Sequence, residues 1–298
     1  MNPPIRHPAV AGQFYPAKPE ALRRELDRFL AAAAPSSNAA ASAAQVVAKG
    51  TSAGTAATPR TEKIRALGCV VPHAGYMYSG HVAGAVYARL EVPRRFIMLC
   101  PNHTGAGAPL AVMSAGSWLT PLGEAAIDSE LAEQLKRDFP ALREDAGAHA
   151  REHSLEVQIP FLQQLTPQFS FVPIAVGTSR LEVLTGLGES IARVLRAQPS
   201  GEVLVIASSD MNHYEDDTLT RNKDRMAIDR MLVLDPAGLW ETVQREQISM
   251  CGFGPAVAML LSARELGATR AELVKYATSG DISGDRSSVV GYAGIVVS

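Results

Sequence analysis

The chain has 298 residues, 47% of them hydrophobic and 19% charged, which is the composition of a folded globular protein and excludes full-length disorder. Lys and Arg number 28 against 30 Asp and Glu, and this net charge of −2 argues against a nucleic-acid binder built on phosphate neutralisation. The cysteines, Cys69, Cys100 and Cys251, are too few and odd in number for a disulfide framework, so a reducing, cytoplasmic compartment is expected.

The opening MNPPIRHPAVAGQFYP has no basic stretch followed by an apolar one, so no signal peptide is read there. No run of about 18 apolar residues exists to span a membrane. Residues 19–33 predict an amphipathic helix, with Pro19 in its first turn and Leu22, Leu26, Phe29 and Leu30 on one face. Residues 34–62 are small and polar, and read as a flexible insert within one domain spanning 1–298.

Beyond residue 63 strands and helices alternate. Ile64 to Val71 is a buried strand, Ser79 caps a helix over 80–90, and Phe96 to Cys100 is a second strand. Leu110 to Met113 and the residues near Leu122 form an outer pair, and Asp128 caps a helix to Phe139. Ser154 to Leu165 reads as a helix kinked near Pro160. A strand follows over 169–176, a helix over 181–197 and a strand over 203–207. Helices near 219–232, 236–246 and 255–266 precede two closing strands, 272–277 and 289–297, which add antiparallel pairs. The expected architecture is α/β, a single domain with a largely parallel or mixed central sheet and helices on both faces.

Polar residues collect where the strands end. One apolar run leads into Pro72-His73, another into Pro101-Asn102-His103, and a third into Ser208-Ser209-Asp210-Met211-Asn212-His213. In open parallel sheets ligands bind at the carboxyl ends of strands, so three histidines delivered to one edge form a candidate shared site. Neutral imidazole is the commonest transition-metal ligand. Cys251 is the fourth candidate. It precedes Gly252-Phe253-Gly254 and a helix, whose free N–H groups favour a thiolate. Cys69 and Cys100 lie inside apolar strands and read as inert. Asp210 beside His213 suits general acid–base chemistry, the carboxylate orienting the imidazole. Glu152 and His153 are assigned to the layer behind the ligands, and His149 to the surface. His7 and His81 read as packing or solvent residues. The Ser-Gly-Asp triplets at 279–281 and 283–285 read as turns. No phosphate loop, dinucleotide fingerprint, nucleophile elbow or C-x-x-C pair is present.

Six ordered motifs carry a resemblance: P-H-A-G-Y-x-Y-S-G at 72–80, P-N-H at 101–103, E-H-S-L-E at 152–156, S-S-D-x-x-H at 208–213, C-G at 251–252 and Y-A-T-S-G-D at 276–281. Together they resemble the Memo family, named for a mediator of ErbB-driven cell motility, whose bacterial and archaeal members are called AmmeMemoRadiSam system protein B. The resemblance implies a fold similar to the class III extradiol, LigB-like dioxygenases, in which two His and one Glu hold non-haem iron. It implies His73 and His103 as metal ligands, Cys251 where those enzymes have Glu, and His213 as the acid–base residue with Asp210 nearby. The implied cofactor is a transition metal, iron or copper, with zinc as a further option, at a redox-capable His–His–Cys site. The implied activity is that of an oxidoreductase on an unidentified small molecule or peptide, with a radical-SAM system as partner. Two alternatives are a peptide- or partner-binding protein with a vestigial dioxygenase pocket, and an active extradiol dioxygenase.

Overall fold

The computed structural model describes residues 4–32 and 63–298, so the insert expected at 34–62 lies outside the described residues. The chain opens with β1 (Ile5–Arg6) and α1 (Pro19–Ala32), and continues with β2 (Gly68–Val71), α2 (Tyr76–Arg89), β3 (Arg95–Pro101), β4 (Leu110–Val112), β5 (Ser117–Thr120) and β6 (Gly123–Ile127). Next come α3 (Ser129–Asp138), β7 (Arg143–Glu144), a 3-10 turn (Ala146–His149), α4 (Ile159–Leu165), β8 (Ser170–Val176), α5 (Leu181–Arg196) and β9 (Val203–Ser208). The last elements are β10 (His213–Glu215), α6 (Asp217–Leu232), α7 (Pro236–Arg245), α8 (Phe253–Glu265), β11 (Ala271–Thr278), α9 (Gly280–Ser283) and β12 (Val289–Val297).

The strands form one 12-stranded mixed sheet in the order β1-β5-β6-β8-β3-β9-β2-β12-β10, with β11 on β12 and β4 on β8. Its centre is parallel: β8, β3, β9 and β2 run the same way, and β12 closes antiparallel on β2. Strand alternation sends successive side chains to opposite faces. Along β3, Ile97 and Leu99 pack with α3, α5 and α8 on one face, while Phe96, Met98 and Cys100 pack with α1, α2 and α4 on the other. Both faces are covered, which is why the central strands read as unbroken apolar runs.

Three local expectations change. Helix α2 begins at Tyr76, not after Ser79, and the Ser79 hydroxyl donates to the Ala74 carbonyl at 2.9 Å. The outer pair is β5 with β6, while β4 joins β8 and β7. Residues 154–158 are turns, and α4 starts only at Ile159 with Pro160 in its first turn, so no kink occurs. Proline fits there because the first turn needs no N–H partner.

The turn segment is held by buried polar side chains. Glu156 is fully buried and accepts from Arg6 Nη1 at 2.5 Å, Ala9 N at 2.7 Å, Val10 N at 3.0 Å and the Tyr15 hydroxyl at 2.6 Å. Arg6 also donates to the carbonyls of His149 and Glu152, and its guanidinium lies 4.3 Å from the Trp118 ring centroid. The N-terminal segment is thereby strapped across one sheet face and carries Phe14 to the site. Glu156→Ala leaves the Arg6 charge buried without a partner, a loss of about 3–5 kcal/mol. Urea denaturation of the variant should show this drop, whereas Glu25→Ala, which touches only the exposed Arg28, should leave the midpoint within about 0.5 kcal/mol.

Candidate metal centre

Parallel register brings the site together. The order β3-β9-β2 places the carboxyl ends of the strands side by side, so His73, His103 and Asp210 emerge at one edge. Cys251 joins them from the turn just before α8. Gly252 makes that approach feasible, since a Cβ there would sit 2.4 Å from the Ser208 carbonyl oxygen. The His73, His103 and Cys251 donor atoms all lie within 4.8 Å of one another.

The His73 ring is fixed by a saturated hydroxyl. Ser208 Oγ donates to the Ser154 carbonyl at 2.8 Å and accepts from Gln158 Nε2 at 3.0 Å. Gln158 cannot be reversed, because the same Nε2 donates to the Pro72 carbonyl at 2.9 Å. A serine hydroxyl has one proton, already used, so toward His73 Nδ1, 3.0 Å away, it can only accept. His73 therefore carries its proton on Nδ1. Its Nε2 lone pair faces Cys251 Sγ at 3.2 Å. Burial, with the neighbouring imidazoles, holds the His73 pKa well below the usual histidine value, so the ring is neutral.

His103 is fixed by charge. Its backbone N–H donates to Glu152 Oε2 at 2.7 Å, and its Nδ1 lies 3.0 Å from Oε1. Glu152 is fully buried, yet hydrogen bonds from His103 and from the Ser154 hydroxyl and N–H hold its carboxyl far below the usual range. Burial is the largest single influence on His103 and opposes its charge, but the Glu152 hydrogen bond and the charges of Glu152 and Asp210 together outweigh it and raise the pKa. The carboxylate accepts from Nδ1–H, which leaves the proton-free lone pair on Nε2. His153 stacks on His103 with centroids 4.9 Å apart and planes at 17°, and Phe14 meets its ring edge-on at 4.9 Å. Glu152 and His153 thus stand behind and beside His103.

Cys251 differs from the expectation. Burial and the Asp210 carboxylate push its thiol up, outweighing the N–H of Asp210, which donates to Sγ at 3.3 Å. It is a thiol until an ion displaces the proton. His149 is also corrected: it is fully buried, 5.6 Å from the Trp118 ring, and desolvation lowers its pKa to about 4. Cys69 and Cys100 are buried in strands, where desolvation raises both thiols, as expected of inert residues.

Asp210 and His213 do not pair as expected. Asp210 Oδ1 accepts from the backbone N–H of His73 at 2.8 Å and of Ala74 at 3.3 Å, so it shapes the loop under His73. The His213 ring is oriented by Ser249, whose carbonyl accepts from Nδ1 at 2.8 Å and whose hydroxyl accepts from the His213 backbone N–H at 2.7 Å. His213 Nε2 has no hydrogen-bond partner among the described residues, and the ring lines a cavity of about 880 Å³ together with His73, His103, His153, Asp210 and Cys251. Sequence reasoning missed Ser208, Gln158, Arg6 and Ser249. Ser208 lies inside the quoted motif at 208–213 and Gln158 just beyond the one at 152–156, but Ser249 carries no signal of its own.

The His213 loop rests on Asp224. Its Oδ1 accepts from Asn212 N at 2.8 Å and its Oδ2 from the Tyr276 hydroxyl at 2.6 Å. Burial raises the carboxyl pKa to about 7. Because this carboxyl is harder to ionise folded than unfolded, its contribution is full below pH about 4 and is lost as pH rises through about 7. Asp224→Asn should remove that slope. Denaturation midpoints at pH 5 and 8 should then converge, relative to the unmodified protein, by about 2 kcal/mol.

The sequence profile described as Memo-like protein matches residues 6–296. A MEMO1 family protein of Methanopyrus kandleri is 44% identical over 295 residues, covering 98% of each chain. Another, from Methanothermobacter thermautotrophicus, is 40% identical over 97% of this chain and 99% of its own. The crystal structure of an uncharacterized protein from Escherichia coli K12 superposes with a TM-score of 0.54 at 12% identity, over 77% of this chain and 98% of that one, and shares the fold. With a profile match across nearly its whole length and relatives at this level of identity, the chain belongs to the Memo family.

Proposed function

We propose that the chain is a metal-dependent oxidoreductase whose ion, iron or copper, is held by His73, His103 and Cys251 at the floor of the cavity. The convergence of two fixed imidazole lone pairs and one sulfur within 4.8 Å supports this reading most directly. Metal–ligand bonds of about 2.0–2.3 Å set the donors of one ion roughly 3–4 Å apart. The 3.2 Å between His73 Nε2 and Cys251 Sγ fits that span. A redox-active ion bound there would exchange electrons with a molecule in the cavity.

The chain's own residues supply the rest. With Nδ1–H donating to the Ser249 carbonyl, His213 handles protons at Nε2, which accepts a proton from the bound molecule or returns one. Asp210 holds the His73 loop in place through two backbone N–H groups. Phe14 and His153 shield His103 from water on one side. A thiolate in the third position is softer than a carboxylate and favours copper(I), which sets this site apart from one built for catechol cleavage on iron(II).

Two predictions follow from these roles. His103→Ala should abolish stoichiometric metal binding in competition titrations, and Ser208→Ala should weaken it about 10- to 100-fold by freeing the His73 ring. Cys69→Ala should change neither, and undiminished affinity in His103→Ala would remove the triad from consideration. Separately, Cys251→Glu should shift preference from copper(I) toward iron(II) in paired titrations, and His213→Ala should keep the metal while losing pH-dependent turnover. Rapid multiple turnover of catechols by the unmodified, iron(II)-loaded protein would favour the dioxygenase alternative instead.

A further inference from the structure

The proton-handling role of His213 needs its ring held still, yet the acceptor that holds it, the Ser249 carbonyl, belongs to an exposed residue. What secures Ser249 is Asn212, the residue before His213. Asn212 is fully buried. Its Oδ1 accepts from the Ser249 N–H at 3.1 Å and from the Ser249 hydroxyl at 3.0 Å. Its Nδ2 donates to Glu215 Oε2 at 2.7 Å, and its own N–H donates to Asp224 Oδ1 at 2.8 Å. The amide cannot be reversed, because its NH2 would then meet the Ser249 N–H and its oxygen the Glu215 carboxylate. This directs the Ser249 hydroxyl in turn. A hydroxyl has one proton, and Asn212 Oδ1 at 3.0 Å is nearer to it than the His213 carbonyl at 3.3 Å. The hydroxyl oxygen is left to accept the His213 backbone N–H at 2.7 Å. Asn212 thus holds both the hydroxyl and the backbone of Ser249, on which the His213 N–H and ring rest.

The chain is bent to make this clamp. Side chains three residues apart face opposite sides of a regular strand, so Asn212 and Glu215 could not meet in one. They meet because Tyr214 has a φ of 63° and the β10–β12 register slips between His213 and Glu215. A bulky residue keeps a left-handed conformation only where its surroundings impose it. Here the anchors stand on both sides. Asn212 is tied to Asp224 and Ser249, and Glu215 Oε1 accepts from Lys223 Nζ at 2.8 Å.

We infer that Asn212 is a positioning residue for the acid–base step: through Ser249 it fixes the His213 ring with the proton on Nδ1 and leaves the Nε2 lone pair for the bound molecule. This deepens the metal-centre reading and rests on it for one point, that His213 has a proton to move. A ring held by the Ser249 carbonyl alone would depend on neither Asn212 nor the Ser249 hydroxyl, so the two arrangements give different results.

Long-range proton–nitrogen NMR correlation of His213, in the metal-free full chain at mildly alkaline pH, reads the tautomer. The unmodified protein should show Nδ1–H. Ser249→Ala lies at an exposed position, keeps the carbonyl and removes only the hydroxyl bridge. It should lower the ratio of Nδ1–H to Nε2–H about fivefold, the worth of one net hydrogen bond. Asn212→Asp should lower it at least as far, because it sets a second carboxylate against Glu215. Adding Glu215→Gln to Asn212→Asp reverses the polarity of that bond, the glutamine amide donating to the aspartate, and should restore the original tautomer. His73 and His103 should keep their tautomers in all three variants, as a general loosening of the fold would not allow. An unchanged His213 tautomer in Ser249→Ala would overturn the inference, whether or not Asn212→Asp folds. So would a change in Asn212→Asp that Glu215→Gln fails to reverse. Metal titration of the same preparations separates the two readings. Metal binding without the tautomer response removes the clamp alone, and the full response without metal binding removes the metal centre alone.

Discussion

Buried polar groups have to be paired, and residues 152–158 are where this fold meets that requirement. Glu152, Ser154, Glu156 and Gln158 are all fully buried. Between them they reach three parts of the site. Glu152 holds His103, the Ser154 carbonyl takes the Ser208 proton, Gln158 fills the remaining face of Ser208, and Glu156 ties down the N-terminal segment. A helix here would project side chains around a cylinder. The turns instead send these four inward, toward partners on β1, on β9 and in the loop that follows β3.

This pairing settles the chemistry of the floor before any ion arrives. Ser208 and Glu152 each take the Nδ1 proton of a histidine, and both Nε2 lone pairs are thereby presented to Cys251 and to the cavity. Preorganisation of this kind comes from outer partners and not from the ligands themselves. His213 follows the same logic through a third acceptor, the Ser249 carbonyl. Three imidazoles are oriented through Nδ1 by three different acceptors, a hydroxyl, a carboxylate and a carbonyl. Above the floor the character changes to aromatic walls, with Phe14, Tyr78, Tyr214 and Tyr292 lining the cavity.

The sheet was legible in the sequence because its central strands are buried on both faces and read as continuous apolar runs. His73, His103 and Asp210 were legible for the same reason, since each follows such a run. Cys251 was legible only in part. Its flanking glycines signalled a close approach, but not the depth that raises its thiol above the value a helix terminus alone would give. The partners that orient the rings were not legible. His73 meets Cys251 across 178 residues of sequence, and Ser208 across 135. No local pattern encodes such pairings. The helix expected over 154–165 forms only from Ile159, because the apolar period that starts at Leu155 was outweighed over 154–158 by the burial of the polar residues there. His149 was placed at the surface because a lone loop histidine usually lies there, and Arg6 and Trp118 instead enclose it.

The central claim is that hydrogen-bond saturation, and not the metal, sets the two ligand rings. Long-range proton–nitrogen NMR correlation of the histidine side chains tests it most directly, in metal-free protein held at mildly alkaline pH. His73 and His103 should both show the tautomer protonated on Nδ1, with Ser208→Ala releasing His73 into a mixture and leaving His103 unchanged. A metal-free His73 or His103 protonated on Nε2 would contradict the account, because the lone pair at the triad would then belong to neither scaffold partner nor ion.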